Sequence, residues 1–259
     1  MTAGEHVRTY ARESLAWYGG LALLTAQVAR NLRLPPAYLS LVAQQVDVIG
    51  VRSVAVALTA ALFTGMVLAL QTAVNMARFG AENYVGPVVA LSILRELGPV
   101  LTAILVGGKV ASGITAELGS MRVTEQIDAL RALGVNYLKK LVVPRILAAL
   151  IVFPLVTILA DGVGLLGGML IVVFERDVDP YLYWNTIAYW VVMKDFLTGI
   201  VKSIVFGVLV TIIGCYNGLV TTGGTEGLGR STTDTVVEVA MAVIISDFFL
   251  TKLLIILFW

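Results

Sequence analysis

Cysteine, histidine and charge are all scarce in this sequence. The only cysteine is Cys215 and the only histidine is His6, so neither a disulfide framework nor a cysteine-based metal site is available. Charged residues make up 14% of the 259 residues, whereas about a quarter is usual in a soluble domain. The net charge of +1 gives no sign of the clustered basic face that binds nucleic acid. These shortages exclude an ordinary water-soluble domain and favour a membrane environment.

Long apolar runs are what the sequence does contain, since 58% of its residues are hydrophobic. A membrane-spanning helix needs about 20 consecutive apolar residues, and five stretches are long enough. The first is the clearest, because it contains no charged residue. We therefore predict an all-α membrane protein with five transmembrane helices at about residues 53–77, 84–108, 145–174, 196–219 and 236–259.

Residues 1–36 are amphipathic instead. Apolar side chains from Val7 to Val28 recur every three or four residues, but this apolar part is too short to cross a bilayer. We predict an interfacial helix that ends before Pro35 and Pro36, followed by the membrane domain at residues 37–259. The start of the chain does not have the pattern of a secretory signal, so we expect no removable signal peptide.

Two kinds of interruption are expected along the membrane domain. Pro87 and Pro99 fall within the second span and remove backbone donors, which predicts a kinked or discontinuous helix. Residues 175–195 mix charges with tyrosine and tryptophan, which indicates an interfacial loop with an aromatic belt. Residues 220–234 are rich in glycine and threonine and are predicted to form another loop.

Several charged residues lie inside the predicted spans. Each costs roughly 2.5 to 3.5 kcal/mol to insert, so each must be paired or face water. Arg95 and Glu96 point about 100° apart on a helix and do not simply neutralise each other. Lys202 and Asp247 are available as partners, and Asp161 is a further candidate. Two interpretations fit equally well: an ion-pair network that locks helices together, or a polar gate in a substrate cavity.

The lysines and arginines outside the spans are distributed unevenly. If the N-terminus is cytoplasmic, twelve of them lie on the inner side, and only Arg78, Arg176 and Lys194 lie outside. The positive-inside rule therefore predicts a cytoplasmic N-terminus and, after five spans, a C-terminus on the outer side.

A short amphipathic helix is predicted at about residues 124–133, in the cytoplasmic connection between the second and third spans. Thr124 can cap its start and Gly134 can end it. Ile127 and Leu130 fall on one side. A helix of about ten residues is not stable alone in water, so it must dock on something. Its acidic residues and narrow apolar stripe suit a groove on a partner protein better than an anionic bilayer surface.

Two sequences that look like nucleotide-binding motifs are explained without a nucleotide. Residues 162–167, GVGLLG, have the dinucleotide spacing but lie in an apolar span, where small residues allow close helix packing. Residues 224–231, GTEGLGRS, lack the lysine of a Walker A loop and follow an apolar span rather than a strand. The chain is therefore predicted to bind no nucleotide itself.

Several longer motifs, taken in order, resemble a single family. They are FTGMVLALQ at residues 63–71, LRELGPV at 94–100, AELG at 116–119, MRVTEQIDAL at 121–130, Lys202-Ser203 and GRSTT at 229–233. From about residue 40 to its end, the chain resembles the MlaE-type permeases, which belong to the MCE-associated lipid ABC transporters of Gram-negative bacteria and plastids.

The resemblance implies a transport subunit rather than an enzyme. It implies a homodimer in the inner membrane, a cytoplasmic ABC ATPase that carries the ATP and magnesium, and a periplasmic MCE-domain lipid-binding partner. Together these would move phospholipid and maintain the lipid asymmetry of the outer membrane. The lipid cavity and its gate would involve Leu68, Gln71, Asn75, Phe79, Arg95, Glu96, Lys202 and Asp247. The coupling helix seated on the ATPase would use Glu125, Gln126, Ile127, Asp128, Leu130 and Arg131.

Two other functions stay open at this point. Residues 128–134 loosely match the loop by which ABC importers of small solutes contact their ATPase, although Pro144 stands too close to Gly134 for that motif. Glu96 and Asp247 in broken helices would also suit a proton-coupled secondary transporter or a channel. No inverted repeat is visible, however, and the short cytoplasmic helix would then have no role.

Overall fold

The computed structural model describes residues 3–31 and 39–258, and within those ranges the chain is helical without strands. The predicted all-α class is therefore confirmed. The predicted break at Pro35 and Pro36 and the side chain of His6 lie outside what the structure describes.

Eight helices follow one another in the described chain, and five of them are long and apolar enough to cross a membrane: Leu39–Ala77, Glu82–Val123, Leu138–Arg176, Met193–Val220 and Gly224–Phe258. This confirms the five predicted spans, although the helices extend beyond the predicted bounds. The helices are α1 (Ala3–Asn31), α2 (Leu39–Ala77), α3 (Glu82–Val123), α4 (Gln126–Ala132), α5 (Leu138–Arg176), α6 (Pro180–Trp190), α7 (Met193–Val220) and α8 (Gly224–Phe258).

The N-terminal helix α1 is attached to the membrane bundle. The indole nitrogen of Trp17 donates a hydrogen bond to Asn217 Oδ1 at 3.1 Å, and its ring meets Tyr216 edge-on. Both partners are near the end of α7. The position of α1 on a membrane surface and the division of the chain at residue 36 stay predictions.

The second span, predicted to be kinked or discontinuous, continues as one helix with an irregular turn at Ile93–Leu97, so it is not broken. Pro87 stands in the first regular turn, where a missing N–H is tolerated. Pro99 follows a π-turn at Ile93–Leu97, and a π-turn absorbs an irregular hydrogen-bond ladder without ending the helix. Arg95 and Glu96 both lie in this π-turn.

Both segments predicted to be loops are largely helical, so these two predictions are wrong. Residues 175–195 contain α6, whose start is capped by Asp179, since its side chain accepts from the Tyr181 N–H at 2.8 Å. Residues 220–234 are helical from Gly224 onward, and the turn before it uses positive φ at Gly223 and Gly224. The polar start of α8 is compatible with a helix because its Thr232 hydroxyl donates to the carbonyl of Gly229 at 2.7 Å.

The central helices are the buried ones. Of the most apolar 18-residue stretch of each span, 67% is buried in α5 and 56% in α7, but only 22% in α2 and 11% in α8. The bundle therefore presents one face of α2 and most of α8 to its surroundings.

Glycine allows α2 and α5 to approach closely. A side chain at Gly65 would collide with the backbone carbonyl of Gly164, and one at Gly167 would collide with the carbonyl of Leu62. The predicted packing role of residues 162–167 is thus confirmed for two glycines, while Gly162 faces open space. In hydrocarbon, where apolar burial gives little driving force, such close packing holds helices together.

Replacing Gly65 with alanine should separate α2 from α5. We expect a loss of about 1 to 3 kcal/mol in the free energy of unfolding, because a methyl group there overlaps backbone rather than a flexible side chain. The thermal midpoint of the detergent-solubilised protein measures the effect. Gly162→Ala is the matched control and should leave the midpoint unchanged or raise it. Equal midpoints for the two variants would contradict this account of the packing.

Candidate functional site

The membrane-embedded charges gather around Lys202, whose side chain is fully buried. Its ammonium group donates to Glu96 Oε2 and, at 2.7 Å, to the hydroxyl of Thr251. Asp247 Oδ1 lies 2.9 Å away, at ion-pair distance but outside hydrogen-bond geometry. The lysine on α7 thereby joins α3 to α8. The structure brings Glu96, Lys202 and Asp247 together, as predicted. Thr251 is a further partner that was not predicted.

Arg95 has a different partner from those predicted. Its guanidinium binds Asp195 Oδ1 with nitrogen–oxygen distances of 2.5 and 2.7 Å. Asp195 is fully buried, and its other carboxylate oxygen accepts from the Val192 N–H at 2.9 Å at the start of α7. Asp195 belongs to a segment that was predicted to be a loop. An acidic residue three positions into a helix is a common capping signal, and this could have drawn attention to it.

Asp161 does not join the charged cluster. It lies on α5 and is 4% exposed, and no donor in the described chain bonds its Oδ1. That oxygen packs against Gly98, where any larger residue would collide with it. The suggested participation of Asp161 in the network is therefore wrong for this arrangement.

An open groove lies beside the charged cluster, along the exposed face of α2. Its volume is about 360 Å³, and it is lined by Phe63, Thr64, Val67, Leu68, Gln71 and Leu97. Two predicted cavity residues, Leu68 and Gln71, are thus brought together in it. Asn75 is exposed one turn further along α2, and Phe79 is 82% exposed just beyond the helix end. Spacings of three and four residues place Leu68, Gln71 and Asn75 on one side of the helix.

Helix α3 contributes to both the groove and the charged cluster. Leu97 lines the groove, and the two residues before it, Arg95 and Glu96, hold Asp195 and Lys202. The apolar wall with polar positions at Thr64 and Gln71 suits an amphiphilic molecule, and the ion pairs fix the helices that form it.

The short helix α4 is anchored by one face and exposed on the other. Ile127 is fully buried, and Leu130 is partly buried against the same core. Asp128 binds Arg122 at the end of α3 with a distance of 2.5 Å and Arg131 at 3.4 Å. Of the six predicted coupling residues, Glu125, Gln126, Asp128 and Arg131 are exposed. Ile127 and Leu130 hold the helix on its own chain.

The predicted cap of α4 is wrong at its start and confirmed at its end. The Thr124 hydroxyl donates backward to the carbonyl of Ser120 at 2.8 Å, and no side-chain oxygen of the described chain accepts from the first turn of α4. The chain instead turns at Glu125, which has a positive φ of 59°. Gly134, with a φ of 71°, ends the helix and donates to the carbonyl of Arg131 at 3.0 Å.

Five apolar helices, an internally paired charged cluster and an open amphiphilic groove describe a multi-pass membrane transport protein. The family model "Permease MlaE" matches residues 42–253. The chain therefore belongs to the MlaE permease family, whose members are permease subunits of ABC transporters and not the ATPase. With the five spans, this membership indicates a multi-pass inner membrane protein.

Relatives are similar over most of the chain. A probable ABC transporter permease protein of Rickettsia typhi is 38% identical over 97% of this chain and 95% of its own length. A probable ABC transporter permease protein of Synechocystis is 43% identical over 82% of this chain and 80% of its own. The intermembrane phospholipid transport system permease protein MlaE of Haemophilus influenzae is 40% identical over 83% of this chain and 82% of its own length.

Replacing Lys202 with methionine should destabilise the bundle strongly. The change leaves two carboxylates, Glu96 and Asp247, without their common counter-ion, and breaking a buried pair in this way costs about 3 kcal/mol. The thermal midpoint in detergent measures the loss, with the exposed lysine variant Lys252→Met as control. Adding Glu96→Gln and Asp247→Asn should restore part of the stability. No recovery in this triple variant would assign the loss to packing rather than charge.

Proposed function

We propose that this chain is the permease subunit of an ATP-driven transporter that moves phospholipid between the inner membrane and a periplasmic MCE-domain partner. Two copies of the chain would form the membrane unit, with a cytoplasmic ATPase below each copy. ATP and magnesium would be bound by the ATPase, and the permease would perform no covalent chemistry.

The observation that carries this proposal is the groove on α2. It opens on the flank of the bundle and has mostly apolar walls, with polar side chains at Thr64 and Gln71. A phospholipid can enter such a groove sideways from a bilayer and keep its acyl chains in an apolar environment. The phospholipid transport role in the name of the Haemophilus influenzae relative supports the same substrate class.

Helix α3 provides a mechanical route from the ATPase to the groove. It is continuous from Glu82 to Val123, with Leu97 on the groove and Arg122 bound to Asp128 of α4. Leu97 and Arg122 are separated by 25 residues, or roughly 37 Å of helix. Closure of the ATPase around ATP would displace α4, and α3 would carry that displacement to the groove. ATP would thus shift the population between open and closed grooves.

The alternative functions receive less support from the same contacts. The carboxylates that suggested a proton-coupled transporter, Glu96 and Asp247, both pair with Lys202, an arrangement that also serves to hold three helices together. An importer of small polar solutes needs a hydrated path, whereas this groove opens sideways on an apolar face. The excess of Lys and Arg on the side of α4 supports a cytoplasmic N-terminus and a periplasmic C-terminus.

A photo-crosslinking amino acid at Leu68 should label phospholipid. The chain, co-purified with its ATPase, is reconstituted into vesicles with a tagged phospholipid, and lipid adducts are counted with and without ATP. We expect labelling at Leu68 that changes on ATP addition, because the groove should open or close. The matched control is Ile151, an exposed residue of α5 outside the groove. Equal, ATP-independent labelling at both positions would show bulk lipid contact only.

Replacing both Asp128 and Arg131 with alanine should uncouple the ATPase. These exposed charges form the outer face of α4, and we expect about tenfold weaker association with the ATPase, equivalent to about 1.4 kcal/mol. Co-purification and lipid-stimulated ATP hydrolysis measure the effect, while the thermal midpoint of the permease alone should change little. The control pair, Arg78→Ala with Glu82→Ala, changes charges at the opposite end of α2 and α3. Unchanged coupling in the α4 variant would contradict the role of this helix.

A further inference from the structure

A second cavity lies between α2 and α3, at the end of the bundle that carries α4. Its volume is about 210 Å³, and its polar lining consists of Gln45, Arg52, Ser53, Lys109 and Glu117. None of these residues lines the groove along α2. The volume equals that of roughly seven water molecules at about 30 Å³ each, which is enough for a small polar group with part of its hydration.

The cavity carries an excess of positive charge. Lys109 donates to the backbone carbonyl of Arg52, which holds the Lys109 side chain against α2. Within the described residues, neither cation lies at ion-pair distance from a carboxylate. The one carboxylate in the lining, Glu117, is 2.7 Å from Arg145, whose side chain is 3% exposed. Glu117 is therefore paired with Arg145 and not with Arg52 or Lys109, so the cavity and its surroundings carry more cations than carboxylates.

A buried hydroxyl also lines the cavity without a partner. Ser53 is 1% exposed, and its Oγ makes no hydrogen bond to any described residue. Leaving a buried hydroxyl unpaired is unfavourable, and most such groups in proteins do find a partner. Arg52, Ser53 and Lys109 all line this cavity, so a hydroxyl and two cations share one small volume.

The cavity is at the depth of lipid headgroups. Arg52 immediately precedes the charge-free residues 53–77, and Lys109 immediately follows the charge-free residues 98–108. In each helix the cation therefore marks the boundary between the hydrocarbon core and the polar headgroup layer. Basic pockets between transmembrane helices at this depth suit anionic lipid headgroups.

From this geometry we propose that the cavity between α2 and α3 binds the phosphate of an anionic phospholipid. Arg52 and Lys109 supply the charge, and the Ser53 hydroxyl donates a hydrogen bond to a phosphate oxygen. The lipid is a resident of the leaflet on the α4 side, separate from any lipid in the groove along α2. This site does not depend on what the protein transports.

The test uses the full chain reconstituted in nanodiscs of phosphatidylcholine and phosphatidylglycerol. Lipids that survive detergent extraction are identified by mass spectrometry, and we expect the anionic phosphatidylglycerol to be enriched. Arg52→Gln and Lys109→Gln should each reduce that enrichment by about fivefold, as expected for one interfacial cation. Ser53→Ala should also reduce it without lowering the thermal midpoint, while Arg52→Lys should preserve most of it. The matched control is Lys140→Gln, an exposed lysine outside the cavity.

Three results would overturn the proposal. Unchanged phosphatidylglycerol enrichment in the combined Arg52→Gln and Lys109→Gln variant would show that the cavity does not select the lipid. Displacement of phosphatidylglycerol by inorganic phosphate would assign the site to a soluble ion instead. Separation of a dimer into single chains in the same variant, with unchanged lipid content, would make the cavity part of a contact between copies. Lipid labelling at Leu68 is independent of all three, so the two proposals fail separately.

Discussion

The pairing of buried charge within hydrocarbon is the constraint on which the rest of this structure depends. Lys202 has no access to water, so its ammonium must be satisfied by side chains from other helices, and Glu96, Asp247 and Thr251 provide this. Their positions on α3 and α8 fix both helices against α7. Since α8 is otherwise the most exposed span, this cluster is a main polar attachment of α8 to the bundle.

Helix α2 is attached to the bundle by close backbone packing instead of ion pairs. This helix contributes no charged residue from 53 to 77, and it approaches α5 through Gly65 and Gly167 instead. Its inner face is therefore fixed by shape, whereas its outer face is free to line a groove. Two different means, ion pairing for α8 and small residues for α2, attach the two peripheral spans to the buried pair α5 and α7.

Sequence patterns predicted the parts of the fold that depend on composition. Five apolar runs gave five spans, and the cost of isolated intramembrane charges indicated that Glu96, Lys202 and Asp247 would meet. Sequence patterns were less informative about side-chain partners that depend on which helices lie next to each other. The pairing of Arg95 with Asp195 needs α3 beside the start of α7, a proximity that no local signal contains. Thr124 looks like a cap, but α3 continues far enough to offer it the carbonyl of Ser120.

The candidate site was predictable to a similar degree. Leu68, Gln71, Asn75 and Phe79 were expected at the cavity because of the resemblance to the MlaE-type permeases, and the structure adds that Leu97 of α3 closes one side of the groove. Ile127 was expected at a partner surface, but its burial assigns it to the attachment of α4. Helical periodicity identifies an apolar stripe without saying whether the chain itself or another protein covers it.

The lengths of α2 and α3 have a consequence for how an ATPase would sit. Helix α2 has 39 residues, or roughly 58 Å, whereas a hydrocarbon core is about 30 Å thick. Residues 39–52 and 109–123 therefore extend roughly 20 Å past the charge-free segments, on the side of α4. These two helical segments separate α4 from the acyl-chain region. A displacement driven by the ATPase would thus begin outside the lipid, and only these parts of α2 and α3 could transmit it to the membrane.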